Sequence, residues 1–178
     1  MLQEYSEWII QFARTNPQWT IPLVALLAFG ESIAFVSLVL PFWSILVALG
    51  ALLSNTDTDF ISILFAASIG AALGDWLSYS IGYRYRNQIS DIWPFTQHPN
   101  LLPRGHALFE KWGAAAIWLA RFSGPLRASV PIVAGIVGMD WKRFQLANWP
   151  SAFLWAGVLL VFGDIVGKFI GFAARYLG

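Results

Sequence analysis

The chain has 178 residues, of which 57% are hydrophobic and only 12% are charged, and its mean hydropathy is +0.60. So few charges cannot cover the surface of a soluble protein of this size. The composition therefore predicts an all-α integral membrane protein with a single domain over residues 1–178. A net charge of +1 provides no basic patch for a nucleic-acid partner. The absence of cysteine excludes disulfides and thiolate nucleophiles.

The first segment, residues 2–14, places apolar side chains at three- and four-residue spacing, with polar side chains on the other faces. This pattern predicts an N-terminal amphipathic helix, which either lies in the membrane interface or packs on the bundle as a lid. The acidic residues Glu4 and Glu7 precede the first basic residue, Arg14. A secretory signal would begin with basic residues, so no cleavage is expected.

Residues 20–53 form an apolar stretch with Glu31 as its only charge and with Pro41 in its interior. Two crossings of a bilayer would need roughly 40 residues and one crossing about 20. The intermediate length predicts a re-entrant hairpin. An ionisable group inside a membrane marks a functional site by default. The alternative for Glu31 is a protonated core carboxyl that makes one hydrogen bond.

Residues 60–83 are interrupted only by Asp75, which predicts one tilted spanning helix. Gly70 and Gly74 lie one turn apart and offer a small-residue face, either for a close contact within the chain or for a homo-oligomer. Asp75 follows directly, so this face is expected to point into the protein. Residues 83–111 are polar and contain three prolines, which predicts an interfacial or extramembrane loop. Two histidines there have no acidic or cysteine cluster beside them, so no metal site is expected.

A stretch from Arg121 to Gly135 interrupts an apolar run of bilayer length with two arginines and two prolines. A lone cation in hydrocarbon costs from about 2.5 to more than 10 kcal/mol, and a Gly124-Pro125 pair breaks a helix. Broken backbone survives at membrane depth only inside protein or against a water-filled cavity. We therefore predict a second re-entrant hairpin that turns at Gly124-Pro125, with Arg121 and Arg127 at its tip. The alternative is a kinked spanning helix whose arginines reach an interface.

The last crossing is expected within residues 144–176, and the two halves of the chain share landmarks at an offset of 89 or 90 residues. The matches are Glu31 with Arg121, Pro41 with Pro131, Gly74 with Gly163, Asp75 with Asp164, Gly82 with Gly171 and Arg86 with Arg175. Each unit, residues 20–86 and 110–176, would hold one hairpin and one spanning helix. One crossing per unit is odd, so the second unit must be inverted in the membrane. Many transporters form their substrate site where such inverted broken elements meet.

Six basic residues that follow the first predicted spanning helix and lie outside the hairpin would fall on one face of this arrangement, which the positive-inside rule makes cytoplasmic. They are Arg84, Arg86, Arg104, Lys111, Lys142 and Arg143. Glu31 then enters from outside and the two hairpin arginines from inside, so the opposite charges are expected to pair in low dielectric. One carboxylate cannot neutralise two guanidiniums. The surplus positive charge predicts an anion site, and the planar fork of arginine suits phosphate.

These residues resemble the DedA family, which carries the VTT (SNARE-associated) domain, over roughly residues 20–160. The resemblance rests on Glu31-x9-Pro41, Gly74-Asp75, Tyr79-x-x-Gly82, Asn148 and the segment from Arg121 through Gly124, Pro125, Arg127 and Pro131 to Gly135. Phe42 departs from the glycine that usually follows the first proline. The resemblance implies facing re-entrant hairpins in a bacterial cytoplasmic membrane and movement of lipids between leaflets, including phospholipid and undecaprenyl phosphate. It implies that Glu31 and Asp75 are the important acids and that Arg121 and Arg127 are the important bases.

The leading hypothesis is a proton-coupled transporter that moves a phosphate-bearing lipid between leaflets. Arg121, Arg127 and Glu31 would form the substrate site, and Glu31 and Asp75 would take up protons. The alternative is a proton- or sodium-coupled transporter of a small soluble anion. No enzyme activity and no cofactor are expected, because no histidine lies in an apolar segment. Five residues are predicted to shape the hairpins: Pro41, Gly124, Pro125, Pro131 and Gly135.

Overall fold

The computed structural model describes residues 16–33, 59–86, 88, 101–123 and 126–177, and every regular element in these ranges is a helix. The helices are α1 (Pro17–Ser32), α2 (Phe60–Tyr85), α3 (Leu101–Trp112), α4 (Ala115–Arg121), α5 (Leu126–Ile136) and α6 (Trp141–Leu177). For this part of the chain the prediction of an all-α protein is confirmed. Three predicted features lie outside the described residues: the amphipathic helix at 2–14, the second arm of the first hairpin with Pro41, and the turn at Gly124-Pro125.

The two long helices, α2 and α6, are long and apolar enough to cross a membrane, judged by length and composition. In α6 the segment with this character is Trp141–Val166. The helices run antiparallel. Tyr79 stacks on Phe144 with ring centroids 4.3 Å apart, and Phe65 meets Phe153 edge-on at 5.2 Å farther along both helices. Many of their large apolar side chains remain exposed, as expected for faces that meet lipid tails.

Small residues bring α1 and α2 into close contact. A Cβ atom on Gly70 would overlap the carbonyl oxygen of Ala25, and one on Gly74 would overlap the carbonyl oxygen of Phe29. The small-residue face predicted from the one-turn spacing therefore serves a contact within the chain. Asp75 beside it is buried, with 2% of its surface exposed, as the sequence predicted.

We expect Gly70→Ala to lower the free energy of unfolding by about 1–3 kcal/mol, because the added methyl group forces α1 and α2 apart. The measurement is denaturant-induced unfolding of the purified protein in detergent micelles. Gly157→Ala is the matched control, since the nearest atom to a Cβ there is Leu64 Cδ1 at 3.8 Å. That substitution should be neutral or stabilise the helix by up to about 1 kcal/mol. Equal effects of the two substitutions would contradict the close crossing.

A broken helix occupies the stretch that contains both arginines. Helix α4 ends at Arg121, α5 begins at Leu126, and Phe122 and Ser123 after α4 are not helical. The two short helices pack on each other, and a shared buried cluster includes Ile117 of α4 and Val130 of α5. Both arginines therefore flank the break.

Pro131 does not interrupt the helix, contrary to the prediction. It lies inside α5, which continues for five more residues. The ring removes one hydrogen bond to the carbonyl of Arg127, four residues earlier. Tight packing on α2 holds the helix in spite of this loss, because Gly135 lies against the backbone of α2 at Tyr79 with no room for a Cβ.

The polar segment predicted as a loop contains a helix, α3, so that prediction is wrong for residues 101–111. Pro103 is the third residue of α3, in the first turn, where proline is tolerated because those N–H groups have no partner inside the helix. Gly105, Leu108 and Phe109 then share one face at helical spacing. Gly105 is buried against Val133 of α5, and the other two pack on the apolar clusters around α5. Packing on α5 thus selects the helix.

Candidate functional site

Arg121 closes α4 and reaches between the two long helices. Its Nη2 pairs with Asp75 Oδ2 of α2 and donates to Asn148 Oδ1 of α6 at 2.7 Å. Its Nε donates to Ser151 Oγ, also of α6, at 3.0 Å. One side chain beside the break therefore joins the middle parts of α2 and α6.

Arg127, the second residue of α5, makes a similar set of contacts with α1. Its Nη1 pairs with Glu31 Oε1, and its Nη2 donates to Ser32 Oγ at 2.9 Å. Its Cζ lies 3.9 Å from the centroid of the Trp155 ring of α6. This is a cation–π contact, which is stronger where water is excluded. The guanidinium thus has a carboxylate at its edge and an aromatic ring on its face.

The four charged groups lie deep in the bundle. Asp75 lies ten residues before Tyr85, and Ser151 lies ten residues after Trp141. At 1.5 Å per residue each is about 15 Å from the end that the two antiparallel helices share. The hydrocarbon core of a bilayer is about 30 Å thick. The distance of Asp75 and Ser151 from the helix ends is thus about half that thickness.

The charges are buried and balanced. Exposed fractions are 4% for Glu31, 2% for Asp75, 4% for Arg121 and 8% for Arg127. The sequence predicted that Glu31 alone faces both arginines and leaves a surplus positive charge. That expectation is wrong, because Asp75 pairs with Arg121 and two acids balance two bases. An unpaired charge in this environment would carry a desolvation penalty of several kcal/mol.

Each charged group keeps one buried polar atom that has no hydrogen-bond partner within the described part of the chain. These atoms are Glu31 Oε2, Asp75 Oδ1, Arg121 Nη1 and Arg127 Nε. A cavity of about 10 Å³ is lined in part by three of these four residues, Asp75, Arg121 and Arg127. It has room for about one water molecule. Because buried polar atoms are normally satisfied, the cluster has unused capacity for polar contacts.

Sequence reasoning missed three residues of the site: Ser32, Ser151 and Trp155. It indicated Asn148 as a motif residue but gave it no role in the site. Asn148 bridges two helices, since its Nδ2 donates to the carbonyl of Ala72 at 2.9 Å while its Oδ1 accepts from the Arg121 guanidinium. The spacing of Asn148 and Ser151 could have predicted this role, because two polar residues three apart in an apolar helix lie on the same face.

Asp164, the repeat counterpart of Asp75, lies outside the cluster. It pairs with Lys168 one turn later, and the exposed fractions of the two side chains are 31% and 69%. Pro131 lines the small cavity and Gly135 belongs to the crossing with α2. Over the described ranges, no group of three histidine, cysteine or acidic side chains is placed to hold a metal ion.

A model of the VTT domain matches residues 40–178, which is 139 of the 178 residues. The chain belongs to the VTT-domain family, also called the DedA family. The match includes Asp75, both arginines and Asn148, and it begins after Glu31.

Several curated proteins resemble this DedA-family chain. The inner membrane protein YabI of Escherichia coli strain K12 is 30% identical over 92% of this chain and 64% of YabI. The inner membrane protein YqjA of the same strain is 32% identical over 72% of this chain and 59% of YqjA. An uncharacterized membrane protein of Buchnera aphidicola is 30% identical over 90% of this chain and 64% of its own length. The chain thus spans somewhat less than two thirds of these relatives, and no solved structure matches it.

Family membership and relatives named as inner membrane proteins establish the location. This DedA-family protein is a multi-pass protein of the bacterial inner membrane. The exposed apolar faces of α2 and α6 agree with that location. The buried ion pairs are therefore intramembrane charges.

Proposed function

We propose that this protein moves a phosphate-bearing lipid, such as a phospholipid or undecaprenyl phosphate, between membrane leaflets, and that Arg121 and Arg127 bind the phosphate. The observation that carries the proposal is the pair of buried arginine–carboxylate contacts beside a helix break, about 15 Å from the end of both long helices. A purely structural bundle gains little from such pairs, because apolar side chains of similar volume are often as stable or more stable. Charges kept at this depth are better explained by a substrate.

Phosphate binding requires an exchange of partners. A proton taken up by Glu31 neutralises its carboxylate and releases Arg127, and protonation of Asp75 releases Arg121 in the same way. Each freed guanidinium offers a planar fork that matches two phosphate oxygens. Loss of the proton restores the carboxylate, which then displaces the phosphate from the guanidinium. Lipid movement is coupled to protons by this competition.

The exchange also requires an opening of the cluster. A cavity of about 10 Å³ has no room for a phosphate group. One ion pair joins α4 to α2, and the other joins α5 to α1. Movement of α4 and α5 away from α1 and α2 would therefore separate both pairs at once. While the ion pairs are closed, a phosphate head group cannot pass between the leaflets.

The proposal includes the membrane topology. Glu31 lies next to the last residue of α1, and Arg121 is the last residue of α4. Helix α1 packs on α2 of its own half, and α4 packs on α6 of the other half. We propose that these helices are the first arms of two re-entrant hairpins in an inverted repeat, with one spanning helix in each unit. The hairpins then enter from opposite sides and meet at the ion pairs.

The test is movement of fluorescent lipids between leaflets in proteoliposomes, with and without a pH gradient. We expect a labelled phospholipid to cross much faster than in protein-free liposomes, and a glycolipid with the same tails and a sugar head group to cross no faster. Transport of soluble inorganic phosphate without movement of any labelled lipid would replace this proposal by the soluble-anion transporter. Equal acceleration of both lipids would contradict a role for the phosphate.

A further inference from the structure

A second, much larger cavity opens where the end of α2 meets the start of α6. Its volume is about 810 Å³, within the range of about 300–1,000 Å³ that is typical of ligand sites. Arg84 and Arg86 line it, and both side chains are exposed. The aromatic rings of Tyr83 and Trp141 line it as well. The translocation mechanism above makes no use of this cleft.

The described lining of the cleft carries a positive charge. Asp140 is the only acid among its described lining residues, and its Oδ1 accepts from the backbone N–H of Arg143 at 3.0 Å, which caps α6. Two guanidiniums therefore face one carboxylate that already has a partner. The Cζ of Arg86 lies 5.2 Å from the centroid of the Tyr83 ring, so a cation–π contact holds this guanidinium on the wall.

The inner wall of the cleft lies one turn from the ion pairs. Tyr79 lines the cleft, is itself buried, and follows Asp75 by four residues on α2, a rise of about 6 Å. Its hydroxyl donates to the carbonyl oxygen of Met139 at 2.6 Å. Tyr79 thus lies between the cleft and Asp75 along α2.

We propose that the cleft is a second anion site, which holds a phosphate monoester or diester at the membrane surface before it reaches Arg121 or after it leaves. This inference rests on the proposed function for its role in transport. The guanidinium groups of Arg84 and Arg86 would each donate two hydrogen bonds to the phosphate oxygens. Tyr83 and Trp141 lie near the shared end of the two long apolar helices, and aromatic side chains at the ends of such helices commonly meet lipid head groups. The same phosphate chemistry is offered by a lipid head group and by free phosphate.

The test is isothermal titration calorimetry of the full chain in dodecyl maltoside micelles, which contain no phosphate. Short-chain phosphatidic acid and inorganic phosphate are the two probes. We expect Arg84→Gln/Arg86→Gln to weaken the binding of phosphatidic acid at least tenfold. The matched control is Lys142→Gln/Arg143→Gln, which removes two exposed basic residues that do not line the cleft. That control should change the affinity less than twofold.

Each outcome bears on the proposal. Arginine-dependent binding of phosphatidic acid alone supports a lipid head group as the ligand, and arginine-dependent binding of both probes supports a site for phosphate itself. The cleft site is overturned if neither probe binds, or if the wild type and Arg84→Gln/Arg86→Gln bind the probes equally well. Lipid movement by the wild type alongside that result leaves the proposed function standing. Arginine-dependent binding without any lipid movement overturns the function and leaves the cleft site standing.

Discussion

Removing one acid of an ion pair, by Glu31→Gln or Asp75→Asn, is expected to lower the free energy of unfolding by about 3–5 kcal/mol. The guanidinium that remains cannot lose its proton and stays buried without a counter-charge. Arg127→Gln and Arg121→Gln should cost less, because the carboxyl that remains can take up a proton and become neutral. The measurement is denaturant-induced unfolding of the four variants in detergent micelles.

The double variant Glu31→Gln/Arg127→Gln should recover most of the loss, since no unpaired charge remains. Asp164→Asn is the control for an accessible pair. Its partner is Lys168, and the exposed fractions of the Asp164 and Lys168 side chains are 31% and 69%. Loss of that pair should cost less than about 1 kcal/mol. If Asp164→Asn lowered the free energy of unfolding as much as Asp75→Asn, the burial of the Asp75 pair would not explain the larger loss expected there.

The second large effect, on lipid movement, is expected from Arg121→Lys. This substitution keeps the positive charge and removes the planar guanidinium. Arg121 uses Nη2 for Asp75 and Asn148, and Nε for Ser151. A single lysine nitrogen on a flexible stem cannot hold this fixed set of partners or bind phosphate through two parallel hydrogen bonds. We expect lipid movement in proteoliposomes to slow at least tenfold.

Arg143→Lys is the matched control, because Arg143 is exposed at the start of α6 and lies outside the ion-pair cluster. It should move lipids at the wild-type rate. Unfolding measured on the same samples separates a loss of function from a loss of fold. Wild-type lipid movement by Arg121→Lys would show that charge alone suffices and that the arginine fork has no role in binding.

Residue types and spacing predicted much of the architecture. Asp75 directly after Gly74 predicted a buried acid on a close helix contact, because small residues draw a helix face into the protein. The stretch with two arginines and two prolines predicted an interrupted helix, and α4 and α5 are separate helices there. The charge pattern also predicted that buried acids and arginines would pair.

The choice of partners could not be predicted from spacing. Which arginine meets Asp75 depends on how α2 is rotated and on where α4 ends beside it, and tertiary packing fixes both. The same limit explains the error at Pro131, where a close crossing with α2 holds a helix through a proline. It also explains α3, because a short polar helix depends on the surface on which it packs.

The most direct test of the account is lipid movement by the doubly neutral variants Glu31→Gln/Arg127→Gln and Asp75→Asn/Arg121→Gln. Both retain side chains of similar size and remove both charges of a pair, so both should fold in detergent. We expect labelled phospholipid to move between the leaflets of proteoliposomes with either variant no faster than in protein-free liposomes. Wild-type rates from folded double variants would contradict it, because the ion pairs would then be structural and the phosphate would bind elsewhere.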